Sequence, residues 1–265
     1  MSDSVTHIKH FPVNEQGDII IENIINIIKT KTPFLFAKFG DGEFNCMYRP
    51  GGVNGNEFDK CTLKLSKNLH ESFQYIVNNH KNYYIAKWNW RDTIKYYESL
   101  TDKKINFARF NSLIMLGGKN HTEGYMDKDK VRIYETIKES SLKKIYICNK
   151  SLIKSKELLN IDHLVFIPYN NWFDNHFESV LNNVLNLISE ITEDNEPFIL
   201  MTSCGMSAKV MITEVYKKYN NGIYLDVGNG LDYLCWKDTR GWSNIYTHSY
   251  LKELFKNVIG DSKNY

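Results

Sequence analysis

Phe198-Ile199-Leu200-Met201-Thr202-Ser203-Cys204-Gly205-Met206-Ser207-Ala208-Lys209 opens the most informative stretch of the chain. A helical pattern follows to about Tyr219, and then Ile223-Tyr224-Leu225-Asp226. An unbroken apolar run reads as a strand buried on both faces, which is what a parallel sheet covered by helices requires. A glycine turn, one helix and a second apolar run then complete a strand–helix–strand unit, whose crossover is right-handed in nearly all proteins.

Working outward, the same alternation recurs. Apolar runs at Phe34 to Ala37, Tyr83 to Ala86, Ile105 to Phe107, Lys144 to Cys148 and His163 to Ile167 are read as further strands. Between them Ile20, Ile24, Ile27 and Ile28 share one helical face, as do Leu63, Leu69, Phe73 and Ile76, and Val180, Val184, Leu185 and Ile188. The expected architecture is α/β, a Rossmann-like, mostly parallel sheet with helices on both faces. No repeat, low-complexity tract or linker divides the chain, and Gly51 to Asn56 is a loop, so residues 1–265 are expected to form a single domain.

Composition narrows the function. Hydrophobic residues at 42% and charged residues at 24% suit a globular core, and 33 Lys plus Arg nearly cancel 31 Asp plus Glu. A net charge of +2 gives no field to hold a polyanion, so nucleic acid is not an expected partner. The N-terminal stretch lacks a basic, then apolar, then small-residue pattern, and Glu22, Asn23 and Asn26 interrupt the most apolar segment. No transmembrane segment is expected, and the protein is expected to be cytoplasmic. Cys46, Cys61, Cys148, Cys204 and Cys235 are scattered, without a Cys-x-x-Cys pair, and read as reduced thiols, mostly buried. The 14% of aromatic residues fits an AT-rich coding sequence, with sugar-stacking surfaces as the alternative.

In open α/β sheets ligands bind beyond the carboxyl ends of the strands, and three such junctions stand out. The first is Lys38-Phe39-Gly40-Asp41-Gly42-Glu43. Two carboxylates in a tight turn can face a hard cation such as Mg²⁺ or Mn²⁺, or Asp41 can cap a helix with Glu43 in its first turn. The second is Ser203 to Lys209, where a helix start and a lysine form an anion site, unless Ser203 caps the helix and Lys209 is solvated. The third, Asp226-Val227-Gly228-Asn229-Gly230-Leu231-Asp232, is like the cofactor loop of S-adenosylmethionine-dependent methyltransferases. It lies too late in the chain for that role, and Asp232 replaces the expected third glycine; a loop using Gly228 and Gly230 for positive φ is the alternative. Trp172, beside Asn170, Asn171 and Asp174, is read as a core residue in preference to a sugar platform. Trp88 to Arg91 is equally ambiguous, His121 and His176 lack metal-ligand spacing, and Cys204 lacks a partner base.

Together the three junctions resemble the GT-D-type glycosyltransferases, a family first catalogued as a domain of unknown function, over about residues 20–245. The resemblance implies a Rossmann-like transferase that moves a sugar from a nucleoside-diphosphate donor, UDP-sugar foremost, to a glycan or other hydroxyl acceptor. It implies that Asp41 and Glu43 take a divalent metal and that Lys38, Phe39, Gly40, Asp41, Ser203, Gly205, Met206, Ser207, Lys209, Asp226, Asn229 and Arg240 surround the donor. On our reading of the residues Lys209 would stabilise the leaving diphosphate, and Asp232 would serve as base in an inverting mechanism, with a retaining mechanism as the alternative. Lys38 stands where an Arg is expected, and Asn229 where relatives often carry Ser or His. A methyltransferase and a non-catalytic sugar- or nucleotide-binding protein are the alternatives.

Overall fold

The computed structural model of the chain describes residues 13, 17, 19–50, 59–87, 91–109, 113, 116–117, 125–126, 128–168, 171–192 and 196–231. In chain order the elements are α1 (Ile21–Lys29), β1 (Phe34–Lys38), α2 (Asp41–Tyr48), α3 (Leu63–Asn79), β2 (Tyr83–Lys87), α4 (Arg91–Ser99) and β3 (Phe107–Arg109). A short ribbon of β4 (Leu116–Gly117) and β5 (Tyr125–Met126) is followed by α5 (Lys128–Glu139), β6 (Lys143–Cys148), a 3-10 turn, α6 (Ser155–Leu158) and β7 (His163–Phe166). The chain then forms α7 (Trp172–Ile191), β8 (Phe198–Ser203), α8 (Ala208–Lys218) and β9 (Ile223–Asp226).

Seven strands form one sheet in the order β3-β2-β1-β9-β8-β6-β7, with every pairing parallel. Handedness explains where the helices lie. Connections running toward the β3 edge carry α3, α4, α7 and α8, and right-handed crossovers put all four on one face. Connections running toward the β7 edge carry α5 and α6, which therefore pack on the opposite face beside α1. Strand residues alternate between the two cores: Leu35 and Ala37 face α3 and α8, while Phe34 and Phe36 face α1 and α5. Because both faces are covered, β1, β2, β8 and β9 are buried throughout, which accounts for their unbroken apolar runs. The expected fold class is thus observed, with the β4–β5 ribbon as the antiparallel addition.

Two sequence expectations shift. The third strand is Phe107–Arg109 and not Ile105 to Phe107, because register with β2 pairs Ile85 with Phe107 and the outer side bonds Arg109 N–H to Gly17 O at 2.9 Å. Leu63 does not belong to the buried face of α3; it is 72% exposed. The face runs through Leu65, Leu69, Phe73 and Ile76, and a residue two positions before Leu65 points about 200° away. Trp172 is a fully buried core residue, as expected, and its Nε1–H donates to Cys204 O at 3.0 Å. Among the described residues no helix is long and apolar enough to cross a membrane.

The revised face has a direct test. Leu69→Ala should cost about 2–5 kcal/mol in urea denaturation, and Leu63→Ala should stay within about 0.5 kcal/mol. Comparable losses in both would place Leu63 back in the core.

Candidate functional site

β1, β9 and β8 are neighbours, so the chain segments that leave their carboxyl ends converge. Lys209, in the first turn of α8, reaches back over this point. Its Nζ lies 2.5 Å from Glu43 Oε1 and 2.9 Å from Asp226 Oδ2, and donates to Gly205 O at 3.2 Å. An ammonium has three protons to donate, and these three acceptors use them. The carboxylates are engaged further: Glu43 Oε2 accepts the Gly40 N–H at 2.8 Å, Asp226 Oδ2 the Lys38 N–H at 3.1 Å, and Asp226 Oδ1 the Gly228 N–H at 3.2 Å. Lys209, Glu43 and Asp226 are all buried. Burial alone would lower the Lys209 pKa, but the Asp226 and Glu43 carboxylates more than reverse this and hold it above its ordinary value.

The local sequence explains the geometry. β8 ends at Ser203, and Gly205 takes φ +81°, a left-handed conformation that lets the chain reverse into α8. Ser203 does not cap that helix. The turn is instead held from outside by Asp59, whose Oδ2 accepts the Ser207 N–H at 3.0 Å and the Ser207 hydroxyl at 2.9 Å. Asp59 is fully buried, and burial pushes its pKa from 3.8 up to about 6, against the pull of the Ser207 bonds and Lys209. Its charged and titratable surroundings are Lys209 on α8, Glu43 and Cys46 on α2, Cys61 on its own segment and Cys204 after β8. The sequence offered no signal for it, since an isolated Asp after a glycine-rich loop has no local partner.

On the other face of the sheet, the Tyr146 hydroxyl donates to Ser203 Oγ at 2.6 Å and the Ser203 hydroxyl donates to Gly228 O. Gly228 has φ +52°, and a Cβ there would stand 2.5 Å from Lys38 Nζ. Gly230 needs no positive φ; it is small because a Cβ would meet Tyr134 Oη at 2.7 Å and Val227 O at 2.9 Å.

The junctions singled out in the sequence therefore meet, but several residues do other work than expected. Gly40, and not Asp41, is the N-cap of α2; Asp41 is its first helical residue and is exposed. Glu43 faces inward onto Lys209, so its two oxygens are already bonded within the protein. Lys209, expected at the diphosphate, has its charge balanced here by two carboxylates. Phe39 is core, edge-on to Phe73 and Tyr97 at ring separations of 5.4 and 5.9 Å. The Ser207 N–H is held by Asp59, Met206 packs in the core, and Ser203, Lys38 and Asp226 are buried. Gly40 is buried too, whereas Gly205 and Asn229 keep partial exposure. Asp232, Arg240, Trp88, Trp90, Asn170, His121 and Cys235 lie outside the described residues. Among those described, no three His, Cys, Asp or Glu residues are grouped to hold a metal ion, and Cys46, Cys61, Cys148 and Cys204 are buried thiols outside any disulfide.

The polar residues gathered at the carboxyl end of this parallel, doubly covered sheet stand where open α/β sheets generally bind ligands. No protein-family model matches the chain, and no curated protein matches it in sequence. Among solved structures it is similar to a selenomethionine-substituted domain of unknown function 1792, with a TM-score of 0.54 and 16% identity over 88% of this chain and 92% of that one. At that identity the likeness is one of fold.

The ion-pair centre gives two expectations. Lys209→Ala leaves two buried carboxylates uncompensated and should cost about 3–5 kcal/mol of stability; a loss below about 1 kcal/mol in urea denaturation would show that Lys209 is not their partner. For Asp59 the folded pKa is raised, so its stabilising contribution is complete below about pH 4 and is lost as pH rises through about 6. Asp59→Asn keeps an acceptor for Ser207 and removes that dependence. The stability difference between wild type and Asp59→Asn should therefore shift in favour of Asn between about pH 4 and 7; a flat difference would contradict the raised pKa.

Proposed function

We propose that the protein is a glycosyltransferase that moves a sugar from a nucleoside-diphosphate donor, a UDP-sugar foremost, to a glycan or other hydroxyl acceptor. The observation that supports this reading is the convergence on Lys209 of the three segments that carry the GT-D-type resemblance: Gly40 to Glu43, Gly205 to Lys209 and Asp226 to Gly230. The similar solved domain points the same way, since domain of unknown function 1792 is the domain of the GT-D-type family.

The residues divide into a buried framework and an open edge. Asp41 is exposed at the start of α2 and is the carboxylate suited to a divalent cation, Mg²⁺ or Mn²⁺, with donor diphosphate and water supplying the other ligands. Glu43 does not fit that role, because Lys209 and the Gly40 N–H occupy it. Such a cation, when bound, offsets charge on the leaving diphosphate. Glu43, Lys209 and Asp226 fix the direction in which Asp41 is presented. Asp232 remains our candidate base, and Arg240 a candidate contact to the sugar. The methyltransferase alternative draws no support from the glycine loop, since Lys38 and Tyr134 already stand against Gly228 and Gly230.

UDP affinity measured with and without Mn²⁺, together with melting temperature, tests the division of roles. Asp41→Asn should abolish the Mn²⁺-dependent part of UDP binding and leave the melting temperature unchanged. Glu43→Gln should cost about 1–3 kcal/mol of stability, because an ion pair with Lys209 becomes a bond from the ammonium to a neutral amide oxygen. Metal-stimulated UDP binding that survives in Asp41→Asn would refute the assignment, and hydrolysis of a UDP-sugar by the wild type separates an enzyme from a binder.

A further inference from the structure

Helix α2 has two faces with different fates. Glu43, Cys46 and Met47 are buried, while Asp41, Phe44, Asn45 and Tyr48 follow the opposite stripe at the spacing of successive helical turns. The far end of that stripe is aromatic. Tyr48 is 55% exposed, yet its ring is held in place: it is stacked with Phe44 at 5.4 Å and 9°, and Tyr96 of α4 stands edge-on to Phe44 at 5.3 Å and to Tyr48 at 5.4 Å. Tyr96 is itself fixed by His70, whose Nδ1 lies 2.9 Å from Ser66 O and so carries the proton; Nε2 then accepts the Tyr96 hydroxyl at 2.6 Å. The Arg49 guanidinium lies over the Tyr48 ring, 5.7 Å from its centre.

We infer that Phe44, Tyr48 and Tyr96 form a stacking platform for a pyranose ring of the acceptor glycan, with Arg49 and Asn45 bonding its hydroxyls. The inference rests on the glycosyltransferase reading for the word acceptor, but the platform itself rests on the rings. Three features favour a sugar over an apolar peptide. The exposed ring has a guanidinium over it, a phenolic hydroxyl of its own and Asn45 three residues back on the same helix stripe, which suits a ligand that is apolar on one face and carries hydroxyls. Its orientation is fixed before binding, so little conformational entropy remains to be lost. Finally, Tyr48 lies about 10 Å along the helix from Asp41, roughly the span of a disaccharide, on the same exposed stripe. A sugar stacked there extends toward the carboxylate that we assign to the donor side.

The test uses the full chain and a panel of methyl glucoside, methyl galactoside, methyl N-acetylglucosaminide, cellobiose and lactose, read by saturation-transfer NMR, with UDP titrated in parallel. At least one sugar should bind the wild type with saturation transfer that Tyr48→Ala weakens roughly tenfold and Tyr48→Phe or Tyr48→Trp retains, while UDP affinity is unchanged in all three. No binding by any panel member, or binding indifferent to Tyr48→Ala, overturns the platform. Loss of UDP affinity in Tyr48→Ala would overturn it in another way, by giving the rings to the donor's base. If the sugar binds through Tyr48 but UDP does not bind at all, the platform stands and the transferase reading falls. UDP binding without sugar binding removes the platform and leaves the transferase reading in place.

Discussion

A buried ammonium cannot be left alone, and in this protein Lys209 makes that rule structural. Isolated in a low-dielectric interior its charge would be untenable, so the chain must bring carboxylates to it; once there, the carboxylates are equally dependent on the lysine. Glu43 follows β1, Asp226 ends β9 and Lys209 follows β8, so one ion-pair cluster fixes the relative position of three segments distant in sequence. Backbone bonds carry the effect outward. Through Glu43 the cluster holds the Gly40 N–H and hence the start of α2, and through Asp226 it holds the backbone at Lys38 and Gly228.

The sheet makes this cluster possible. Had β9 been added at an edge, Asp226 would be strands away from Glu43; because the β8–α8–β9 crossover runs inward, β9 sits between β1 and β8. The same crossover lays α8 on the face of α3, so the first turn of α8 meets the start of α2. Asp59 then closes the assembly by bonding the Ser207 turn from a segment that immediately precedes α3. Cluster, sheet order and helix layer are one constraint seen at three scales.

How much of this could be read in the sequence depends on the range of the interaction. Strands buried on both faces announce themselves as apolar runs, and so Phe34, Tyr83, Phe198 and Ile223 begin strands where the runs begin. The edge strand is different: β3 pairs with one neighbour in the sheet, and its register is set by Ile85 and by Gly17, which no local pattern reveals. The junctions were visible as glycine and acid at strand ends. What each side chain does was not visible, because Lys209 next to a helix start looks the same whether it meets a phosphate, water or two distant carboxylates. Leu63 carries the same lesson for packing, since a hydrophobic residue just before a periodic face is silent about which side of the helix it occupies. Asp59 gave no local sign either, because its partner Ser207 lies 148 residues away.

The division of α2 follows from these facts and bears on how such a site can change. Its inner face is bound to the charge cluster: altering Glu43 disturbs Lys209, and through it the end of β9 and the turn into α8. Its outer face, from Asp41 to Tyr48, has no such obligation, and among its residues Asp41 and Tyr48 are exposed. A substitution there changes what the surface offers without removing a partner from a buried charge. On the proposed reading, binding preference can therefore vary along the outer stripe while the inner face keeps the helix in one position. A short helix with one face committed to a buried ion pair is for that reason a better support for a ligand site than a free loop, because the groups it presents are aimed by electrostatics that solvent does not screen.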